Sequence, residues 1–149
     1  MFDQFSRTKL IYGNELDSLK EKTVAVFGVG GVGCYVIEAL ARSGVGNFAL
    51  VDNDVFSYSN LNRQLYANRN TVGRDKVEVA KENILNINEN ANVKTVKAFV
   101  LPETIEQFEF DKYDYVVDAI DTVSGKLTII ENAKKNKETE GFVFKRISN

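Results

Sequence analysis

The chain has 149 residues, 44% of them hydrophobic and 27% charged, with a net charge of −2; that is enough to bury one real core, with no basic excess that would advertise nucleic acid. One cysteine, Cys34, excludes an internal disulfide and a cysteine-based zinc site. The absence of histidine removes Ser–His and Cys–His nucleophilic schemes.

Taken in order, residues 1–22 read as a polar, mixed arm. Within it Asn14 is placed to cap a short helix through about Lys20, with Leu16 and Leu19 facing the body. The opening MFDQFSRTKL has no apolar signal region, and the longest uncharged run, between Lys22 and Glu38, is Gly-rich and too short for a membrane span. The expectation is a cytoplasmic protein with no membrane contact. The unbroken apolar run at 23–28 predicts a strand covered on both faces. Helix 31–43 follows, with Val32, Val36, Ala39 and Leu40 on one stripe and Gly44 as its left-handed stop.

NFALVD (47–52) predicts a second strand, followed by a polar loop and a helix at 74–88 with Val77, Ala80, Ile84 and Ile87 inward. Residues 92–99 predict a third strand, and Pro102 suits the first turn of a short helix with Ile105 and Phe108 buried. YDYVVDAI (113–120) predicts a fourth strand, and helix 123–137 places Val123, Leu127, Ile130 and Ala133 on its core face. FVFKRI, in the tail, can serve as one more strand. Strand and helix alternate throughout, which predicts an α/β fold: a Rossmann-like, doubly wound, mostly parallel sheet with helices on both faces. No repeat, low-complexity segment or linker interrupts it, so one domain is expected, with an N-terminal helical arm (1–22), a nucleotide-binding core (23–137) and a divergent tail (138–149).

The chemistry gathers around TVAVFGVGGVG. A strand, a tight glycine turn and a helix entered at its N-terminus make a cradle for phosphates. Gly28 permits the turn, Gly30 and its neighbour Gly31 let phosphate approach the backbone, and Gly33 lets the helix pack on the strand. The motif alone names only a nucleotide, NAD included. Asp52 lies about 20 residues beyond the last glycine at a strand end, where a carboxylate takes a ribose hydroxyl pair; the plain alternative is a strand-end turn residue. Asp54 stands two residues on. The next loop carries Asn60, Arg63 and Gln64 in SNLNRQ, and Lys76 starts the following helix. Taken singly, Arg63 reads as a surface salt bridge and Lys76 as a solvated helix lysine. Beside a phosphate cradle the pair suits a triphosphate whose leaving group gains charge.

Asp118 and Asp121 end the fourth strand, at the edge where open α/β sheets bind ligands. Either suits Mg²⁺, which takes one or two carboxylates plus phosphate and water; Asp121 competes as an N-cap for helix 123–137. Cys34 reads as a packing residue. A substrate carboxylate is already ionised at neutral pH, so a histidine-free site that positions it and neutralises charge needs no general base.

Together GVGGVG (28–33), ALARSGVG (39–46), DND (52–54), SNLNRQ (59–64), TVGRDKVE (71–78) and DAID (118–121) resemble the ubiquitin-activating-like superfamily, the ThiF/MoeB-type adenylyltransferases of thiamin and molybdopterin synthesis. FSRTKLIYG (5–13) and ALARSG point to its bacterial branch that cyclises threonylcarbamoyladenosine in tRNA by dehydration. The resemblance implies ATP and Mg²⁺ use and activation of a carboxylate. It implies that Asp52 takes the ribose, that Arg63 and Lys76 take the triphosphate, and that Asp121 serves Mg²⁺ or the phosphates. It also implies a homodimer in which Arg7 reaches the partner subunit's ATP site. The partner is then a modified tRNA or, in the sister branches, a ubiquitin-like sulfur carrier protein. Relatives continue past helix 123–137, so the chain is expected to be a truncated nucleotide half. Outside the superfamily, an NAD-dependent oxidoreductase and a non-catalytic nucleotide-binding scaffold are the rivals.

Overall fold

The computed structural model describes residues 2–136 and the backbone of 141–144. Two short helices, α1 (Ser6–Tyr12) and α2 (Glu15–Leu19), precede β1 (Thr23–Phe27). Then come α3 (Gly33–Ser43), β2 (Asn47–Val51), α4 (Lys76–Ile87), β3 (Asn92–Val96), β4 (Tyr115–Asp118), α5 (Val123–Lys135) and β5 (Gly141–Phe144). The strands form one sheet in the order β3-β2-β1-β4-β5, with every pairing parallel. β1 is therefore central, and the chain winds outward on both sides of it. This is the Rossmann-like α/β fold that the alternating pattern predicts. No described helix is long and apolar enough to cross a membrane.

The period-two geometry of the strands divides the core into two layers. Val24, Val26, Phe48 and Leu50 face one layer, closed by Ile37 and Ala41 of α3 and by Val77, Ala80 and Ile84 of α4. Ala25, Phe27, Ala49 and Val51 face the other, with Ile105, Phe108, Phe110, Tyr113 and Ile129. Phe27 sits edge-on to Phe108, ring centroids 5.3 Å apart, and stacks on Phe110 at 5.5 Å. Ile105 and Phe108 thus point inward as the sequence predicts, on a 3-10 turn, Ile105–Gln107.

Several elements differ from the sequence reading. α1 lies in the stretch expected to be a helical arm, ahead of the one helix placed there by its cap, and buries none of its residues. Asn14 occupies the N-cap position of α2 without a side-chain cap bond; Leu16 is buried, and Leu19 only half so. α3 buries Cys34, Ile37 and Ala41, while Val32 and Ala39, placed on the expected stripe, are exposed. Gly44 does end that helix in the left-handed region, at φ 100°. α5 turns a different face inward: Gly125, Lys126, Thr128, Ile129 and Ala133 are buried, and Val123 and Leu127, expected in the core, stand 60% and 56% exposed. β3 stops at Val96, so residues 97–99, expected to extend it, leave the sheet. The tail beyond Phe144 lies outside the described residues.

Candidate active site

The glycine turn is forced at two positions and open at two. A Cβ on Gly28 would stand 2.7 Å from Ala119 O, and Gly28 has φ +98°. One on Gly33 would meet Gly28 O at 1.8 Å. Those two glycines let β1, α3 and the end of β4 close on one another. A Cβ on Gly30 or Gly31 would meet nothing nearer than Gln64 Nε2 at 3.7 Å and Arg63 Cγ at 3.8 Å. Protein packing does not demand glycine there, and the space left belongs to the cavity.

That cavity, about 570 Å³, opens at the C-terminal ends of the strands. Gly28, Gly30, Gly31, Asp52, Asp54, Arg63, Gln64, Lys76 and Asp121 all line it. Nine of the residues chosen from sequence are thus brought to one concave surface. Gly33 and Asn60 are not on its wall. Gly33 packs the turn, and Asn60, buried, accepts the Ser57 N–H on its Oδ1 at 2.9 Å and holds the loop that presents Arg63. Arg7 lies exposed on α1, away from the cavity.

Asp52 is held by the backbone. Its Oδ2 accepts the Val29 N–H at 2.7 Å and its Oδ1 the Asp54 N–H at 2.8 Å. One carboxylate therefore joins the glycine turn to the loop after β2. Lys76 is buried at 6% exposure. Its Nζ is 3.9 Å from Asp54 Oδ2 and 5.6 Å from the centre of the Phe56 ring. An ammonium taken this far from water, with one carboxylate at the limit of ion-pair contact, is a strong attractor for a further anion. Arg63 Nη1 donates to Ser59 O and Asn62 Oδ1, and the guanidinium has no carboxylate partner among the described residues. Gln64 is buried, and its Oε1 has no hydrogen-bond partner among them. α3 and α5 both start at the cavity, and neither carries a side-chain cap, so the unsatisfied N–H groups of two helix ends border it.

Of the two acids at the end of β4, Asp121 lines the cavity, whereas Asp118 is fully buried and paired with Lys126 at 3.0 Å. That removes Asp118 from the metal candidates. The N-cap of α5 is Thr122, so Asp121 does not hold the capping position. No group of three or more His, Cys, Asp or Glu able to hold a metal occurs among the described residues. Three carboxylates line the cavity: Asp52 is bonded to backbone N–H groups, Asp54 lies 3.9 Å from Lys76, and Asp121 fits a Mg²⁺ shared with phosphate oxygens and water, not a resident metal cage. Cys34 is buried, and burial pushes its thiol up to about 11; it packs and does not react.

The sequence reading missed the far wall, where Ala98, Phe99, Val100 and Leu101 follow β3. Phe99 and Leu101 are 61% and 41% exposed. The available signal was position: they follow the C-terminal end of a parallel strand, where ligands bind.

A glycine-turn cavity at the strand ends of an open, doubly wound parallel sheet defines the class of protein. The chain belongs to the ThiF family, whose model matches residues 4–139. It is 48% identical over 136 residues to the tRNA threonylcarbamoyladenosine dehydratase of Bacillus subtilis, covering 91% of this chain and 54% of that protein. It is 40% identical over 135 residues to the Escherichia coli enzyme of the same name, covering 90% and 50%. The crystal structure of the E. coli dehydratase in complex with ATP superposes with a TM-score of 0.89 at 39% identity, over 95% of this chain and 58% of that one. The chain spans about half the length of the curated relatives it matches.

Proposed function

We propose that this chain carries the ATP site of a carboxylate-activating enzyme that cyclises threonylcarbamoyladenosine in tRNA by dehydration. The observation that carries the reading is the cavity itself: two glycines with no packing reason to be glycine share its wall with a buried lysine and with an arginine that has no carboxylate partner among the described residues. The similarity to dehydratases, one solved with ATP, supports it. The glycine turn and the α3 N-terminus cradle the phosphates, and Asp52, through lone pairs not used by Val29 and Asp54, takes the ribose hydroxyls. Asp54, Asn60 and Gln64 shape and line the nucleotide's surroundings.

Arg63 and Lys76 balance the charge that grows on the departing phosphate as the carboxylate oxygen bonds to phosphorus and the bridging P–O bond breaks. The attacking carboxylate is ionised at neutral pH and requires no base. Asp121 is placed to hold a Mg²⁺ against the phosphates; the ion, when bound, neutralises phosphate charge. A heteroatom of the carbamoyl group then attacks the acyl carbon of the mixed anhydride, the phosphate-bearing group leaves with a former carboxylate oxygen and a proton passes to solvent, so the substrate's net change is the loss of water. An enzyme of tRNA works in the cytoplasm, and we assign the chain there. Whether the unit 1–149 is the nucleotide half of a longer protein is part of the same proposal.

A calorimetric titration tests the nucleotide. ATP with Mg²⁺ should bind at least tenfold tighter than NAD, and preference for NAD would return the site to the oxidoreductases. Pyrophosphate or phosphate release should depend on threonylcarbamoyladenosine-bearing tRNA. Release driven instead by a ubiquitin-like carrier protein would move the chain to the sister branch, whose members also match it.

Arg7 is exposed on a helix that buries none of its residues, and it is not on the wall of its own cavity. We read it as acting in trans in a homodimer. Mixing Arg7→Ala with Lys76→Ala subunits should then regain about a quarter of wild-type activity, because one of the two sites in each mixed dimer is intact and half of the dimers are mixed. Verified mixed dimers with no regain count against the arrangement.

A further inference from the structure

Among the described residues, one buried ion pair lies outside those assigned to the nucleotide. Asp118, the last residue of β4, has no exposure, and Lys126, one turn into α5, is 8% exposed. Lys126 Nζ stands 3.0 Å from Asp118 Oδ1. The same oxygen accepts the Ile120 N–H at 3.2 Å, and the Lys126 N–H donates to Thr122 O at 3.1 Å. Gly125 closes the other side: a Cβ there would stand 2.5 Å from Ile120 Cδ1 and 2.7 Å from Thr122 Oγ1. Gly28 touches the same segment through Ala119. The stretch enclosed from all these directions, 119–122, is cavity wall and includes Asp121.

Stability is a poor account of this pair. Burying two charges costs desolvation that mutual attraction often fails to repay, and well-packed apolar residues of similar volume serve a core as well or better. This pair is also under-satisfied: among the described residues Asp118 Oδ2 has no hydrogen-bond partner, and Lys126 Nζ has none beyond its ion-pair contact with Asp118 Oδ1. An ion pair does supply direction. It sets how the helix end docks on the strand end, which a greasy contact leaves loose.

We propose that Asp118 and Lys126 are positioning residues of the ATP site. Their pair fixes the 119–122 turn so that the Asp121 carboxylate stands where a phosphate-bound Mg²⁺ meets it. The inference rests on the reading of the cavity as a site for ATP with Mg²⁺, and it concerns residues that touch neither. Arg63, Lys76 and the glycine turn act on the phosphates without this tether. Loss of the pair therefore weakens the metal-dependent part of binding and spares the rest.

The test is calorimetric titration of the intact protein with ATP across a Mg²⁺ series and in EDTA. For Lys126→Met the Mg²⁺ concentration at half-maximal effect should rise at least tenfold, while affinity in EDTA changes less than about twofold. Lys126→Arg, which keeps the charge in reach of Asp118, should stay within about threefold of wild type in both. If Lys126→Met does not fold, the charge-balanced Asp118→Asn/Lys126→Met protein takes its place with the same expected shift. An unchanged Mg²⁺ midpoint, or an equal loss with and without metal, overturns the positioning role while leaving the ATP site standing. Wild-type protein that binds no ATP overturns the site and the inference with it.

Discussion

Lys76→Ala is expected to lower the rate of ATP-dependent carboxylate activation by about two to three orders of magnitude, the loss typical of removing one preorganised charge-stabilising donor. The expectation follows from where the ammonium sits. It is buried at the start of α4, with Asp54 at 3.9 Å as its carboxylate contact. In water such a cation is worth little to a nearby anion; in a desolvated site it is worth far more. Folding should survive the change, because alanine is a good helix former and the substitution also removes a desolvated charge. The measurement is pre-steady-state release of the phosphate-bearing product, read beside ATP affinity. A fall in rate with ATP affinity little altered marks an interaction made in the transition state. An unchanged rate removes Lys76 from the site.

The glycine turn yields the second large effect, and it separates folding from binding within four residues. Gly33→Ala drives a Cβ to 1.8 Å from a backbone carbonyl oxygen. Backbone there has no room to yield, because β1 and α3 are both packed, so the cost is expected at the upper end of overpacking, about 3 kcal/mol or more. In a domain of this size that lowers Tm by roughly 6 to 12 °C. Gly30→Ala meets only the end of the Gln64 side chain, at 3.7 Å, and should leave Tm within about 3 °C. On the proposed reading its methyl group takes up space that phosphate needs, so ATP affinity should drop by at least tenfold. Thermal melts and calorimetry on the two variants check this directly. Equal melting losses would show that both glycines serve packing. Equal ATP affinity for Gly30→Ala and wild type would show that the cradle is not used.

Much of the fold is legible in the chain because the sheet is buried on both faces. TVAVF and NFALV are continuous apolar runs for that reason, and each alternates residue by residue between the two core layers. The helices were harder to orient. On α5 the apolar residues Val123 and Leu127 mark out a face, yet the helix buries Lys126 and Thr128. Hydrophobic periodicity assumes that a lysine faces water, and here Asp118, eight residues earlier on another element, takes its charge. Nothing local announces such a partner. Within the helical arm the bounds of α1 have no signal for the opposite reason: a helix that buries none of its residues leaves no inward stripe to detect. At the site, the residues with a motif behind them, Gly28, Gly30, Gly31, Asp52, Arg63, Lys76 and Asp121, reach one cavity. Phe99 and Leu101 have no motif, and only the early end of β3 turns them into its wall.

All-parallel pairing around a central first strand also sets an order of events in time. β1 can pair with β2 once the first crossover is made, but its other edge waits for β4, and the link from Thr23 N–H to Asp114 spans 91 residues. Gly28 seats against Ala119, beyond that link. On a ribosome adding about 5 to 20 residues per second, the floor of the cradle therefore exists seconds after its glycines have been made. Contacts so distant in sequence form late because the loop they close must be ordered first. If the cavity is the ATP site proposed above, ATP arriving during synthesis finds no finished cradle, and its binding stabilises only the completed domain.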